Sequence, residues 1–285
     1  MKLKKKNIIE KIISSNFFQN QRNLSDFHIK FYKYDFWIWI INNYDNFLRK
    51  KLRKKLRKKI IPKKIHQIWI GKKIPKEYKK WTKTWMKNNP EYEYFLWDEN
   101  KILQLNLYNE KQFKKASNPA VKSDIARYEI LYRFGGIYVD TDFESLKKIN
   151  DYFLTYSFVA GQLFGYKPEI NNAILFSSKK SKILELIIKG LKKYPGRLTP
   201  TEILSYCGPY YITEIIEKNK HKLNNILILP SQYFYPWPNF LLDQNKNCYS
   251  FVSNNSYAIH HWKMSWHNWY IKIYARLYQL INKIL

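Results

Sequence analysis

Cysteine is nearly absent from this chain of 285 residues: Cys207 and Cys248 are the only two, and they form no CxxC pair. That scarcity indicates neither a disulfide framework nor a thiolate zinc site, and it favours the cytosolic side of a membrane. Long apolar runs are missing as well. The stretch Phe36 to Ile41 is six residues long, against the roughly 20 that a membrane-spanning helix requires. The lysine-rich start, Met1 to Lys6, has the look of a signal n-region, but Glu10, Lys11 and Ser14-Ser15-Asn16 break the apolar stretch that would have to follow. The expectation is a chain with neither a secretion signal nor an integral membrane span. No internal repeat is present.

Acidic residues are also scarce. Asp and Glu total 22 against 51 Lys and Arg, a formal charge of +29, which calls for an anionic ligand or surface. Part of the lysine excess comes with many Asn, Ile and Tyr, as in proteins from A/T-rich genomes. Hydrophobic residues make up 45% of the chain, enough to bury a real core and to exclude a disordered protein.

Three zones follow from the pattern: a basic helical extension over 1–61, an α/β region over 62–266 and an aromatic amphipathic helix over 267–285. In the first zone Leu48, Leu52, Leu56 and Ile60 recur every fourth residue among nine Lys and Arg, the signature of a basic amphipathic helix. Such a helix either docks on an anionic bilayer or packs onto the neighbouring domain. Lys64 to Ile70 then reads as a buried strand stopped by Gly71, Pro75 to Met86 as a helix, and Tyr92 to Trp97 as a second strand ended by Asp98. Strand, helix, strand predicts a parallel pairing with a ligand crevice at its carboxyl edge. A further helix starts at the cap Asn118-Pro119 and ends before Gly135-Gly136, with Val121, Ile125, Tyr128 and Tyr132 as its apolar stripe.

After the glycines, Ile137-Tyr138-Val139 can form only a short strand, which delivers Asp140-Thr141-Asp142 to the ligand edge. In extended backbone the two aspartates face one side, where their oxygens can share a hard cation. Mg²⁺ or Mn²⁺ would offset their repulsion and bridge them to a diphosphate. Asp124 and Arg127, three apart on the preceding helix, share a face and can present an acceptor and a donor fork together. Of the adjacent pair His260-His261, strand geometry lets only one reach a metal; His66 orients the first strand.

The string from Ser123 to Asp142, with the Asp-Ile-Ala-Arg-Tyr segment, Gly135-Gly136 and the Asp140-Thr141-Asp142 cluster, resembles the signature of glycosyltransferase family 32, whose core is similar to that of the clostridial glucosylating toxins. Ile65 to Gly71 resembles that family's first strand, and Tyr257 to Trp266 its C-terminal motif. The resemblance implies an α/β, GT-A-like nucleotide-binding fold with a mixed central sheet, here with helical extensions at both ends. It implies that Trp69 stacks on a nucleobase beside Ile68, that Asp124 and Arg127 bind the donor sugar's hydroxyls, and that Tyr138 and Thr141 line the same pocket. It further implies that Asp140, Asp142 and His260 hold Mn²⁺ or Mg²⁺, and that Ser265 and Trp266 close over the diphosphate. Asn172 and Gly208-Pro209 fall on the acceptor side, and Asp243 lies in a polar loop that could approach the site.

The expected function is therefore a retaining, metal-dependent hexosyltransferase. It would use a nucleoside diphosphate sugar, a UDP-sugar in first place, and a glycan or lipid-linked acceptor at an anionic membrane surface, with peripheral attachment on the cytoplasmic face. A nucleic-acid-binding protein is the rival from another class, since lysines interleaved with aromatics suit phosphate contact and base stacking. A peripheral membrane binder without catalysis is the second.

Overall fold

A computed structural model of the chain describes residues 10–12, 14–19, 33–53, 58–71, 73–163, 168–238 and 247–263. Its centre is a six-stranded mixed sheet in the order β2-β1-β3-β6-β5-β7. The strands are β1 (Lys64–Ile68), β2 (Glu93–Trp97), β3 (Gly136–Val139), β5 (Phe158–Gln162), β6 (Ile170–Ser177) and β7 (Ile226–Leu229). Strand β1 runs parallel to both β2 and β3, β6 runs antiparallel to β3 and β5, and β5 is parallel to β7. A separate antiparallel pair joins β4 (Phe143–Ser145) to β8 (Ala258–His260). The mixed α/β architecture implied by the resemblance is thus present.

Eight helices accompany the strands among the described residues: α1 (Tyr34–Leu52), α2 (Lys76–Asn88), α3 (Glu99–Leu103), α4 (Glu110–Lys115), α5 (Pro119–Phe134), α6 (Lys182–Gly190), α7 (Pro200–Tyr206) and α8 (Pro209–Asn219); a short helical turn, Asn16–Gln19, precedes them. Helix α5 begins as its sequence predicts. The Asn118 side chain accepts from the Ala120 N–H at 2.8 Å and Pro119 occupies the first turn, where a missing N–H costs nothing. None of these helices is long and apolar enough to cross a membrane.

The basic helix departs from its expectation. It ends at Leu52, and Arg53 caps it. Leu56 lies outside the described residues, and Ile60 sits in non-helical chain whose N–H donates to the Leu154 carbonyl at 2.8 Å. Nor does the anticipated stripe carry the packing, because Leu52 is 82% exposed. Phe36, Trp37, Ile40, Ile41, Tyr44 and Phe47 form the buried face instead, laid against β7. The Tyr44 hydroxyl meets that of Tyr233 at 3.0 Å. The larger aromatic and aliphatic side chains of this earlier stretch bury more apolar area than the leucine stripe could, and that area decides which face turns inward. Arg49, Lys50 and Lys51 remain in the last turn, where the helix dipole favours cations.

Two glycines fix how α5 hands over to β3. Gly136 has φ +107°, and a Cβ there would lie 2.6 Å from the Lys64 carbonyl oxygen; at Gly135 it would lie 2.8 Å from the Lys179 nitrogen. Backbone contact this close is what lets β3 enter between β1 and β6. His66 completes the junction. Trp97 Nε1 donates to its Nδ1 at 3.2 Å, and its Nε2 bonds the Gly135 carbonyl at 2.9 Å, so the ring is a neutral Nε2–H tautomer. Burial keeps its pKa down, at about 4. This is the strand-orienting role expected of it.

Gly136→Ala should destabilise the protein by on the order of 3 kcal/mol, from a positive φ and a backbone clash together. Urea unfolding measures this, and a midpoint equal to that of the parent protein would contradict the packing described.

Candidate active site

Because β1 and β3 are parallel neighbours, their carboxyl ends open on one edge, and the antiparallel β6 begins there too. That geometry assembles a single cleft from distant segments: Ile68, Trp69 and Ile70 after β1; Asp140, Thr141 and Asp142 after β3; Asn171 and Asn172 at the start of β6; Asp124 and Arg127 from α5; His260, Trp262 and Lys263 at and beyond β8. Tyr138 lines it as well. Pro119, Ala120, Ile203, Leu204 and Pro209 add an apolar part to its lining. Every expected donor-site residue within the described part of the chain therefore converges on one cleft. Ser265, Trp266, Asp243 and the predicted helix over 267–285 lie outside the described residues.

The aspartate pair is not extended, as the sequence reading supposed. Asp140 N–H still bonds β6 through the Ala173 carbonyl at 2.8 Å, but the Phe143 N–H donates back to the Asp140 carbonyl at 3.1 Å, closing a turn over Asp140–Phe143. The turn is required because Phe143 must enter a second ribbon, β4, whose partner β8 crosses from the other end of the chain. The two carboxylates nevertheless converge. One ligand atom from each of Asp140, Asp142 and His260 can be chosen so that all lie within 4.8 Å of one another.

Charge is arranged in two linked clusters. Arg127, only 5% exposed in its side chain, reaches Asp124 at 2.9 Å and Asp140 at 3.2 Å. Its Nη1 also donates to the Asn172 carbonyl at 2.8 Å, and its guanidinium lies 4.5 Å from the centre of the Tyr138 ring. Asn172 Nδ2 donates to Asp124 at 2.9 Å, and the Cys207 thiol donates to the other Asp124 oxygen at 3.4 Å. Burial pushes the Asp124 carboxyl up to about 6 even with Arg127 beside it. For Arg127, burial works against the charge, but Asp140, Tyr138 and Asp124 outweigh it and hold the guanidinium protonated.

Asp142 anchors the second cluster. His260 Nε2 lies 3.1 Å from one carboxylate oxygen, the Lys263 N–H donates to the other at 2.8 Å, and the His261 N–H donates to the Asp142 carbonyl at 3.0 Å. Burial disfavours its charge, yet His260 and the Lys263 amide more than compensate and hold its pKa low. Asp140 moves the opposite way: burial raises it, Arg127 opposes, and the neighbouring Asp142 charge adds to the rise. The two histidines diverge at the end of β8. His260 turns to Asp142, whereas His261 points away to Glu144 at 3.0 Å and stacks on Trp81 at 4.1 Å.

This donor set, two carboxylates and an imidazole, fits a hard divalent cation. An orphaned polar atom supports the fit, since the buried His260 Nδ1 has no hydrogen-bond partner among the described residues. Trp69, partly exposed at the cleft, packs edge-on to Tyr78 with ring centres 5.0 Å apart. Two contributors escaped the sequence reading. The Cys207 thiol had been weighed only as a disulfide or zinc candidate, and the Lys263 amide is a backbone group that residue identity never reveals. Trp262 adopts a left-handed φ of 51°, the turn that brings that amide back to Asp142.

Residues 75–159 match the family described as "Glycosyltransferase sugar-binding region containing DXD motif". The chain is 29% identical over 214 residues to inositol phosphoceramide mannosyltransferase 2 of Schizosaccharomyces pombe, covering 73% of this chain and 59% of that protein. It is 29% identical over 218 residues to an uncharacterized glycosyltransferase of Acanthamoeba polyphaga mimivirus, with 72% and 84% covered. It is 30% identical over 158 residues to the lactosylceramide 4-alpha-galactosyltransferase of Rattus norvegicus, with 50% and 40% covered. The match thus spans little more than half of the first relative and less than half of the third. Among solved structures, the catalytic domain of alpha-toxin from Clostridium novyi aligns with a TM-score of 0.45 at 12% identity, over 86% of this chain and 88% of that one. The resemblance to DXD-containing glycosyltransferases is shown, and the Asp140-Thr141-Asp142 cluster lies inside the matched region.

Replacing Arg127 with Met should destabilise the fold by about 3–5 kcal/mol at pH 8, because two carboxylates lose their buried counter-charge. In the variant Asp124 titrates higher than in the parent protein, where it lies at about 6, so its share of the penalty is complete above the variant's raised pKa and fades as pH falls toward about 6. Urea melts at pH 8 and pH 5 check both parts; an equal loss at the two values would contradict the assignment.

Proposed function

We propose that this chain, which carries a glycosyltransferase sugar-binding region with a DXD motif, is a metal-dependent retaining hexosyltransferase. Its donor would be a nucleoside diphosphate sugar, a UDP-sugar in first place. The observation that carries the reading is the convergence of Asp140, Asp142 and His260 beside the Asp124–Arg127 pair in one cleft.

In this reading Asp140, Asp142 and His260 hold Mn²⁺ or Mg²⁺, which when bound neutralises charge on the donor diphosphate as it leaves. Trp69, at the rim beside Ile68, offers its ring to the nucleobase. Asp124 accepts from the sugar's hydroxyls and Arg127 donates to them, each locked by its buried partners, so their geometry is set before the donor arrives. Tyr138, whose hydroxyl donates to Asp140 at 2.6 Å, fixes the orientation of that carboxylate. Thr141 contributes cleft wall, and the resemblance supports a role for Ser265 and Trp266 in closing over the diphosphate. Catalysis then rests on pre-set charge and positioning. Retention with front-face attack draws support from the resemblance and from the alpha linkage in the name of the rat galactosyltransferase.

For the acceptor we propose a lipid-linked glycan or glycolipid at an anionic membrane surface, reached by peripheral attachment on the cytoplasmic face. The +29 charge and the ceramide acceptors named in two relatives support this. Each Lys or Arg near an anionic leaflet contributes about 1 kcal/mol.

Hydrolysis of a panel of sugar nucleotides, with Mn²⁺ and with chelator, tests the chemistry. Turnover should require the cation and fall roughly 100-fold or more in Asp140→Asn and in Asp142→Asn; chelator-indifferent turnover, or full activity in both variants, contradicts the reading. Sedimentation of the full chain with phosphatidylserine vesicles tests the surface. Binding should be strong at low salt, weak at high salt and absent on neutral phosphatidylcholine; equal binding to both lipids overturns it.

A further inference from the structure

The cleft's cation centre depends on contacts that cross between the two ends of the α/β region. Asp142 closes the turn after β3, whereas His260 and the Lys263 amide come from β8 and the chain beyond it. Among the described residues β4 and β8 pair in a ladder only with each other, and the central sheet reaches them through Tyr235, whose hydroxyl meets Asn171 of β6 and whose ring packs edge-on to Phe143 and His260. The ribbon is three residues long on each side, Phe143 to Ser145 against Ala258 to His260, and a two-stranded ribbon of that length is marginal by itself.

His261 reinforces it at the end nearest the site. Its N–H bonds the Asp142 carbonyl at 3.0 Å, its Nε2–H donates to Glu144 at 3.0 Å, and its ring lies flat on Trp81 of α2, 4.1 Å between centres and 11° from parallel. Glu144 receives the Tyr249 hydroxyl at 2.7 Å on the same oxygen that meets His261. Helix α2 holds the other strand of the ribbon as well, with Trp85 Nε1 donating to the Phe143 carbonyl at 3.0 Å. β8 therefore ends with His260 at the cation centre, and His261, the next residue, turns to a clamp of Glu144 and Trp81.

We propose that His261 is a positioning residue for the cation centre: by binding Glu144 and stacking on Trp81 it fixes β8 against the aspartate turn, so that His260 and the Lys263 amide meet Asp142 in the geometry a cation needs. The role is one of geometry and does not use the charge of His261. It rests on the reading of Asp140, Asp142 and His260 as cation ligands. Groups that orient ligands from outside the coordination sphere commonly alter metal affinity 10- to 100-fold when removed.

The test is Mn²⁺ binding to the full chain, metal alone, followed by the loss of the free-ion electron paramagnetic resonance signal, with near-ultraviolet circular dichroism and thermal unfolding as controls for folding. His261→Phe keeps a ring for Trp81 but removes the donor, and it should raise the Mn²⁺ dissociation constant about tenfold while the protein stays folded. Glu144→Leu should do the same and carries the test if the histidine variant does not fold. Glu144→Gln retains a carbonyl oxygen that can accept both bonds, and His261→Gln retains a donor, so both should bind within about twofold of the parent protein. Unchanged affinity in folded His261→Phe and Glu144→Leu overturns the proposal, as does equal weakening in the two glutamine variants. Asp142→Asn separates the layers: if it loses Mn²⁺ while His261→Phe keeps it, only the positioning role is wrong. If Asp142→Asn binds as well as the parent protein, the cation centre itself is wrong and the role of His261 goes with it.

Discussion

Arg127 holds one positive charge, almost out of contact with water, against the carboxylates of Asp124 and Asp140. Two carboxylates in one cleft, Asp124 buried and Asp140 partly exposed, would repel each other and resist ionisation, and the guanidinium makes the arrangement tenable. It also decides where the other elements must be. Helix α5 has to lie across the end of β3, which requires the Gly135-Gly136 handover. Strand β6 must begin beside it so that the Asn172 carbonyl and amide can complete the network.

The second half of the cleft depends on a different constraint. Asp142 belongs to the turn that leaves the main sheet, and its partners arrive more than a hundred residues later on β8. The small β4–β8 ribbon is the structural link between the turn that carries Asp142 and the His260 imidazole that meets it. His260 and Phe143, cross-strand partners, stack with ring centres 4.3 Å apart. The left-handed Trp262 turns the chain back toward Asp142 just beyond. Positive φ in a bulky residue is uncommon and is held in place only by its surroundings, here the indole bond to the Trp237 carbonyl at 2.8 Å and contact with the His260 ring.

Much of this was legible in the residues because local rules and the global fold agree there. Asn118-Pro119 announces the start of α5, Gly135-Gly136 its end, and an apolar three-residue strand leaves no other place for the Asp140-Thr141-Asp142 cluster. What escaped were features set by tertiary partners. Leu48, Leu52, Leu56 and Ile60 have perfect helical spacing, but periodicity says nothing of competition, and Phe36 to Phe47 offers the sheet more apolar area. The aspartates were expected in extended chain because β3 was expected to continue; the departure of Phe143 into a second ribbon depends on a strand far away in sequence. The Lys263 amide and the Cys207 thiol act through position alone.

The most direct measurement is diffraction from crystals grown with Mn²⁺ and UDP, recorded on both sides of the manganese absorption edge. The account predicts one strong anomalous peak within coordination distance of Asp140, Asp142 and His260, with the nucleotide's diphosphate adjoining it and its base against Trp69. Manganese bound elsewhere, or a nucleotide held in the cleft with no anomalous peak beside these three side chains, would contradict it.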